Sequence, residues 1–94
     1  PHATAAIILN EHEQGLIKDI LGKIRELFPP NVEWFHNRID DNAHAHVASA
    51  LIGSSRVLPV LNSRLARGTW QNIFFVEMDG PRYRREVVVE VLGE

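Results

Sequence analysis

Two imidazoles two positions apart open the chemical reading of this sequence, in the run Asn42-Ala43-His44-Ala45-His46. Inside a helix, side chains at this spacing point in nearly opposite directions, whereas in extended chain they share a side. With a helix beginning near Asn42, both fall in its first turn, where irregular backbone lets them converge on a metal ion or a reacting group. The positive end of the helix also favours the neutral, metal-competent imidazole. The same spacing fits a polar helix-start residue and a satisfied buried histidine. A second set, Pro1-His2-Ala3-Thr4 and Asn10-Glu11-His12, brackets a short apolar run and would put polar groups at both ends of one strand. Its plain reading is a solvated end and a carboxylate serving the start of a helix.

A third set suits anions. Gly53-Ser54-Ser55-Arg56 is followed by Arg64 and by Gly68-Thr69-Trp70-Gln71. Small hydroxyl residues, free backbone N–H groups and a forked guanidinium are donors to phosphate. It is no Walker loop, because the Gly-Lys-Ser/Thr end is absent. A helix stop followed by a turn explains Gly53-Ser54-Ser55 equally well. Arg82, Arg84 and Arg85 cluster, but alternation splits them between two faces of a strand, as on a solvated edge that resists aggregation.

The elements that would hold these groups follow from periodicity. Ala5–Leu9 is a continuous apolar run, the pattern of a strand buried on both faces. From Gln14 to Phe28, Leu16, Ile17, Ile20, Leu21, Ile24, Leu27 and Phe28 form a wide helical stripe with charges opposite it. Pro29-Pro30 ends that helix. Trp34-Phe35-His36 reads as a short strand or ordered loop. A second helix, capped by Asp40, Asp41 or Asn42, runs to Ile52 and stops at Gly53. Beyond it the pattern predicts two hairpins. The first is Val57–Leu61 with Arg64–Ala66 across Asn62-Ser63, and the second is Trp70–Met78 with Arg82–Leu92 across Asp79-Gly80-Pro81. Val87–Val89 predicts a stretch covered on both faces. Trp34, Phe35, Trp70, Phe74 and Phe75 read as core. The fold class is α+β, two helices packed on antiparallel β-sheet.

Composition bounds the function. Ninety-four residues, 45% apolar and 23% charged, make one domain of ordinary soluble type. Ten basic against twelve acidic residues leave a net charge of −2, which argues against non-specific nucleic-acid binding. The absence of cysteine excludes disulfides, a thiolate nucleophile and a cysteine zinc site, so any metal must be held by the five histidines and by carboxylates. Ala5–Leu9 is far short of a membrane span and follows no basic stretch, giving a cytoplasmic protein without membrane partners as the expectation.

Taken in order, these motifs resemble the YjbQ-like family. Pro1-His2-Ala3-Thr4-Ala5-Ala6 with Asn10-Glu11 is similar to its Pro-His-Thr-Thr-Ala-Ala…Asn-Glu segment. His46 with Leu51-Ile52-Gly53-Ser54-Ser55 is similar to its His…Leu-Leu-Gly-Ser-Ser stretch, and Asn42-Ala43-His44 to the form in archaeal members. Arg64-Leu65-Ala66-Arg67-Gly68-Thr69-Trp70-Gln71 is similar to its Gly-Arg-Leu…Gly-Thr-Trp-Gln signature, with Ser63 where the turn glycine is usual, as Ala3 stands where the Pro-His-Thr-Thr segment usually has Thr. The resemblance implies a trimer, with residues 1–94 forming one domain that lacks the family's N-terminal strands. It further implies a metal-dependent enzyme on small phosphorylated substrates, with secondary thiamine-phosphate synthase-like transferase activity. The alternative is a non-catalytic trimeric metal- or anion-binding protein. On this resemblance His2, His44 and His46 would hold a divalent ion, zinc in the first instance, with Glu11 and His46 catalytic. Thr4, Asn10, Ser54, Ser55, Arg64, Thr69 and Gln71 would bind the anionic substrate.

Overall fold

A computed structural model describes residues 1–80 and 82–93. In chain order it contains β1 (Ala5–Asn10), α1 (Gln14–Leu27), a 3-10 turn (Phe35–Arg38), α2 (Ala43–Ile52), β2 (Val60–Leu61), β3 (Arg64–Leu65) and β4 (Asn72–Glu77). This is the expected α+β class, two helices with antiparallel sheet.

The first and last strands make the main sheet. β1 pairs antiparallel with β4, Ala5 opposite Glu77 and Asn10 opposite Asn72. Alternation then puts Ile8 and Phe74, an opposed pair, on the same face as Ala6 and Val76. Ile17, Ile20 and Leu21 of α1 meet that face around an apolar cavity of about 180 Å³. No residue of α1 is fully buried, although its stripe is as predicted. The start of α1 is capped by Glu13, whose carboxylate accepts from the backbone N–H groups of Gly15 and of Leu16, the latter at 3.0 Å. The helix-start carboxylate is therefore Glu13, two residues beyond Glu11.

Helix α2 docks closely because its contact face is small. Ala45, Ala48 and Ser49 are buried on one face of the helix, which packs on β1, whose first residues Ala5 and Ala6 are buried too. Ser49 Oγ donates to the Ala5 carbonyl at 2.6 Å, and Ile7 N–H donates to the Gly53 carbonyl at 3.1 Å. Ala5 and Ile7 lie two apart, so both bonds use the strand edge that β4 leaves open. Gly53 has φ 106, and a Cβ there would stand 2.7 Å from Arg56 Nη1. A side chain at this stop would be strained and would displace the arginine.

Of the two readings of Trp34-Phe35-His36 the ordered loop holds: Phe35–Arg38 is a 3-10 turn, and Trp34 Nε1 anchors the loop by donating to the Pro29 carbonyl at 2.9 Å. Other expectations are overturned. The second predicted hairpin does not form among the described residues. β4 takes β1 as its partner, and 82–93 joins no ladder. Pro81 of the predicted turn lies outside the described residues. Val87–Val89 is exposed rather than doubly covered, and Phe35 and Trp70 are exposed rather than core. The first strand is buried at Ala5 and Ala6 and half-buried from Ile7 to Leu9. The first hairpin forms as expected, Val60 opposite Leu65 and Leu61 opposite Arg64. Asn62 and Ser63 both have positive φ, 52 and 64, the requirement of a two-residue type I′ turn. This hairpin projects as an arm with Val60, Leu61 and Leu65 exposed. The Cα radius of gyration is accordingly 15.4 Å, against about 12 Å for a spherical domain of this length. Among the described residues no helix is long and apolar enough to cross a membrane.

Candidate functional site

Helical periodicity decides the fate of the two neighbouring histidines. Both stand on α2, and two residues is more than half a turn, so they leave the helix on different sides. His46 faces the entrance to β1, where His2, Ser49, Gly53 and Ser54 join it around a concavity of about 410 Å³. His2 and Ser54 also border an adjoining cavity of about 320 Å³, whose walls include Ser55, Arg56 and Glu86. His44 instead lines a cleft between the end of α1 and the end of β4, together with Phe28 and Met78. Its Nδ1 is buried there without a hydrogen-bond partner.

His46 has an aromatic neighbour that spacing did not suggest. The ring of His36 stands edge-on to it, centroids 4.8 Å apart and planes at 68°. His36 Nε2 is 3.2 Å from Asn42 Oδ1, and Asn42 Nδ2 donates to Asp79 Oδ2 at 2.6 Å. Asp79 also pairs with Arg82. Asn42 stands at the cap position of α2 without capping it. Its side chain is turned to Asp79 and His36, and Asn37 Oδ1 accepts from Ala43 N–H at 3.2 Å in its place.

The other side of β1 is tied similarly. Arg85 forks onto Glu77, both bonds at 2.6 Å, and also donates to the buried Thr4 Oγ1 at 3.0 Å. One residue on, the Glu86 N–H donates to His2 Nε2 at 2.7 Å. The Arg85 bonds hold the Glu77 carboxyl below its usual range, against the opposing effect of burial. Burial pushes the Asp79 carboxyl up, but the hydrogen bonds from Asn42 and Arg82 and the neighbouring positive charges outweigh it and leave it lowered. The arginine cluster is thus not a plain solvated edge: Arg85 is largely covered and bound.

Other predicted residues fall elsewhere. Asn10 and Glu11 lie at the far end of β1 from His2, about 17 Å of strand away at the usual rise. Asn10 Oδ1 accepts from the Glu11 N–H at 2.8 Å, closing the local turn. Arg64 sits on the projecting arm. Gln71 Oε1 accepts from Gly68 N–H at 2.7 Å and so closes the loop that carries Thr69. Arg64, Thr69 and Gln71 line neither cavity at His2. Arg56 donates to the carbonyls of Ile52 and Ser55 at 2.8 and 2.7 Å, which suits the negative end of α2. Of the predicted set, His2, His46 and Ser54 come together, with Ser55 beside them.

The donors do not fit a metal centre. Among the described residues no three histidine, aspartate or glutamate side chains group in a way that could hold a metal ion. His44 is on another face, and the Nε2 lone pair of His2 is taken by the Glu86 N–H. His36, Asn42 and Asp79 were missed by reading the sequence. Asn42 and Asp79 are 37 positions apart and His36 lies six further back, and the three share no periodic element, so no spacing signal joins them.

The architecture is that of a small α+β protein with an imidazole-lined concavity where α2 meets the first strand. The family model for UPF0047 protein YjbQ-like matches residues 1–94, and the chain belongs to that family. It is similar to a UPF0047 protein of Archaeoglobus fulgidus, 49% identical over 94% of this chain and 70% of the relative. A UPF0047 protein of Methanothermobacter thermautotrophicus is 44% identical over 99% of this chain and 64% of its own length. The crystal structure of a YbjQ-like protein of unknown function from Sulfolobus solfataricus P2 superposes with a TM-score of 0.85. It is 60% identical, and the match covers 86% of this chain and 59% of that one. The chain therefore spans about three-fifths of the length of that solved relative.

Proposed function

We propose that the concavity between His2, His46 and Ser54 binds the phosphate group of a small phosphorylated molecule. The observation that carries this reading is the convergence of two imidazoles and a hydroxyl on one concavity that no carboxylate lines. Imidazole N–H groups and hydroxyls donate to phosphate oxygens, and the missing carboxylate removes the charge that would repel them. Ser55 lies beside Ser54 in the adjoining cavity, where Arg56 offsets the charge of Glu86, and extends the set for a diphosphate. In a thiamine-phosphate synthase-like transfer, the thiazole nitrogen forms a bond to the pyrimidine methyl carbon as the carbon–oxygen bond breaks. Pyrophosphate leaves with the electron pair, and the concavity is the place to receive it. No step is drawn through a metal, since the donors do not fit one. The homotrimer implied by family resemblance belongs to the same proposal, and the exposed apolar arm is the kind of surface it would cover.

The second reading, binding without turnover, is favoured by one observation: Glu11, the predicted base, stands at the other end of β1. Titration calorimetry with inorganic phosphate and pyrophosphate tests the binding. We expect saturable binding that weakens about tenfold in His46→Ala, a loss of ~1.4 kcal/mol. Absence of saturation, or wild-type affinity in both His46→Ala and His2→Ala, would sink the proposal. Incubation with the pyrimidine and thiazole phosphates then separates the readings, because only the first yields a coupled product.

A further inference from the structure

We infer that Glu86 fixes the hydrogen-bond polarity of His2 at this concavity, and Asp79 that of His36 behind His46, so that the concavity accepts a phosphate monoester and refuses a divalent cation at His2. The inference deepens the phosphate-binding reading and rests on it for the identity of the ligand.

A backbone N–H can only donate, so the 2.7 Å bond from Glu86 N makes His2 Nε2 an acceptor. In a neutral imidazole the single ring proton must then sit on Nδ1. That leaves His2 with an N–H to offer the concavity and no free lone pair for a metal. An ionised carboxylate can only accept, so Asp79 turns the Asn42 amide with Nδ2 toward itself and Oδ1 toward His36. An amide oxygen can only accept in turn, so His36 Nε2 carries a proton. His36 lies edge-on to His46, so the orientation of His46 is set against a ring whose own orientation Asp79 determines through Asn42. Asp79 and Asn42 are positioning residues here. His2 touches the ligand.

Long-range proton–nitrogen correlation spectra of the ligand-free protein, at about pH 8 and so above the ordinary imidazole range, report each tautomer directly. We expect the Nδ1–H form for His2 and a protonated Nε2 for His36, the latter lost in Asp79→Ala. Two isosteres of His2 then separate its two nitrogens. The amide of glutamine reaches the Nε2 position and that of asparagine the Nδ1 position. His2→Asn should therefore keep phosphate affinity within about threefold of wild type, while His2→Gln loses about tenfold. His2→Gln should still keep the Glu86 amide protected from exchange. An Nε2–H tautomer at His2, a His2→Gln variant that binds phosphate better than His2→Asn, or stoichiometric zinc chloride binding that moves the His2 resonances would each overturn the inference. Failure of wild type to bind phosphate, with the His2 tautomer as expected, counts against the phosphate reading and not against the wiring.

Discussion

The junction of α2 with β1 and the arm formed by β2 and β3 are built on opposite principles. At the junction the buried residues are small, Ala45 and Ala48 on the helix and Ala5 and Ala6 on the strand, and the backbones come close enough for Ser49 to bond the strand. The arm has the larger apolar residues, Val57, Val60, Leu61, Leu65 and Trp70, and all of them are exposed. Hydrophobic size is therefore no guide to where this chain is tightly determined. Close approach is, because a packed interior tolerates little change in volume whereas an uncovered side chain has nothing to clash with.

The sharpest way to break this contrast is to enlarge the junction. Ala45, with no exposed surface, should not admit a leucine. Ala45→Leu is expected to destabilise by about 2–3 kcal/mol in thermal or urea unfolding. Leu61→Ser on the arm should change the stability of the isolated chain by less than about 0.5 kcal/mol. Equal losses from the two would erase the distinction. Next in size is the Arg85 clamp, which joins the end of β4 to Thr4. Arg85→Ala removes charge-assisted bonds from partly covered groups and should cost about 1.5–3 kcal/mol by denaturant titration. Glu77 and Asp79 have lowered carboxyl pKa values in the folded state. Their contribution is complete above the ordinary carboxylate range and disappears as pH falls through the lowered values. Stability of the wild type should thus drop on acidification, and the drop should be shallower in Glu77→Gln. The one stabilising substitution belongs to the arm. Ser63 holds φ 64, a conformation glycine adopts freely, so Ser63→Gly should tighten the hairpin by roughly 0.5–1 kcal/mol. Slower amide exchange at Leu65 would register it, and faster exchange would contradict it.

What could be read in advance was local. The stripe from Leu16 to Phe28, the Pro29-Pro30 stop, the small-residue helix ending at Gly53 and the Asn62-Ser63 turn all depend on neighbours within a few positions. The pairing of β1 with β4 depends on residues more than sixty apart. Asp79-Gly80 looks like a hairpin turn by local chemistry, yet β4 already has a partner on one edge, and 82–93 turns back to bond His2, Thr4 and Glu77 through side chains and a single amide. The site divides the same way. His2, His46 and Ser54 lie in motifs that resemblance singles out. His36 lies in an aperiodic 3-10 turn and meets His46 only because the chain folds back there. The opposed directions of His44 and His46 were foreseeable from helix geometry, and the irregular first turn that might have brought them together is not found: Ala45 and His46 N–H both bond the Asn42 carbonyl, at 3.1 and 3.2 Å, in ordinary helix-start fashion.

The bond from Ser49 to Ala5 gives the two histidines a common reference point. His46 precedes Ser49 by three residues on the helix, and His2 precedes Ala5 by three at the entrance to the strand. Any sliding of the helix along the strand must break that bond together with the one from Ile7 to Gly53, and it then carries His46 away while His2 stays behind. The binding geometry is thus a property of the docked helix and not of either histidine's own loop. The proposed phosphate binding should be lost on heating when α2 undocks, before the β1–β4 ladder separates.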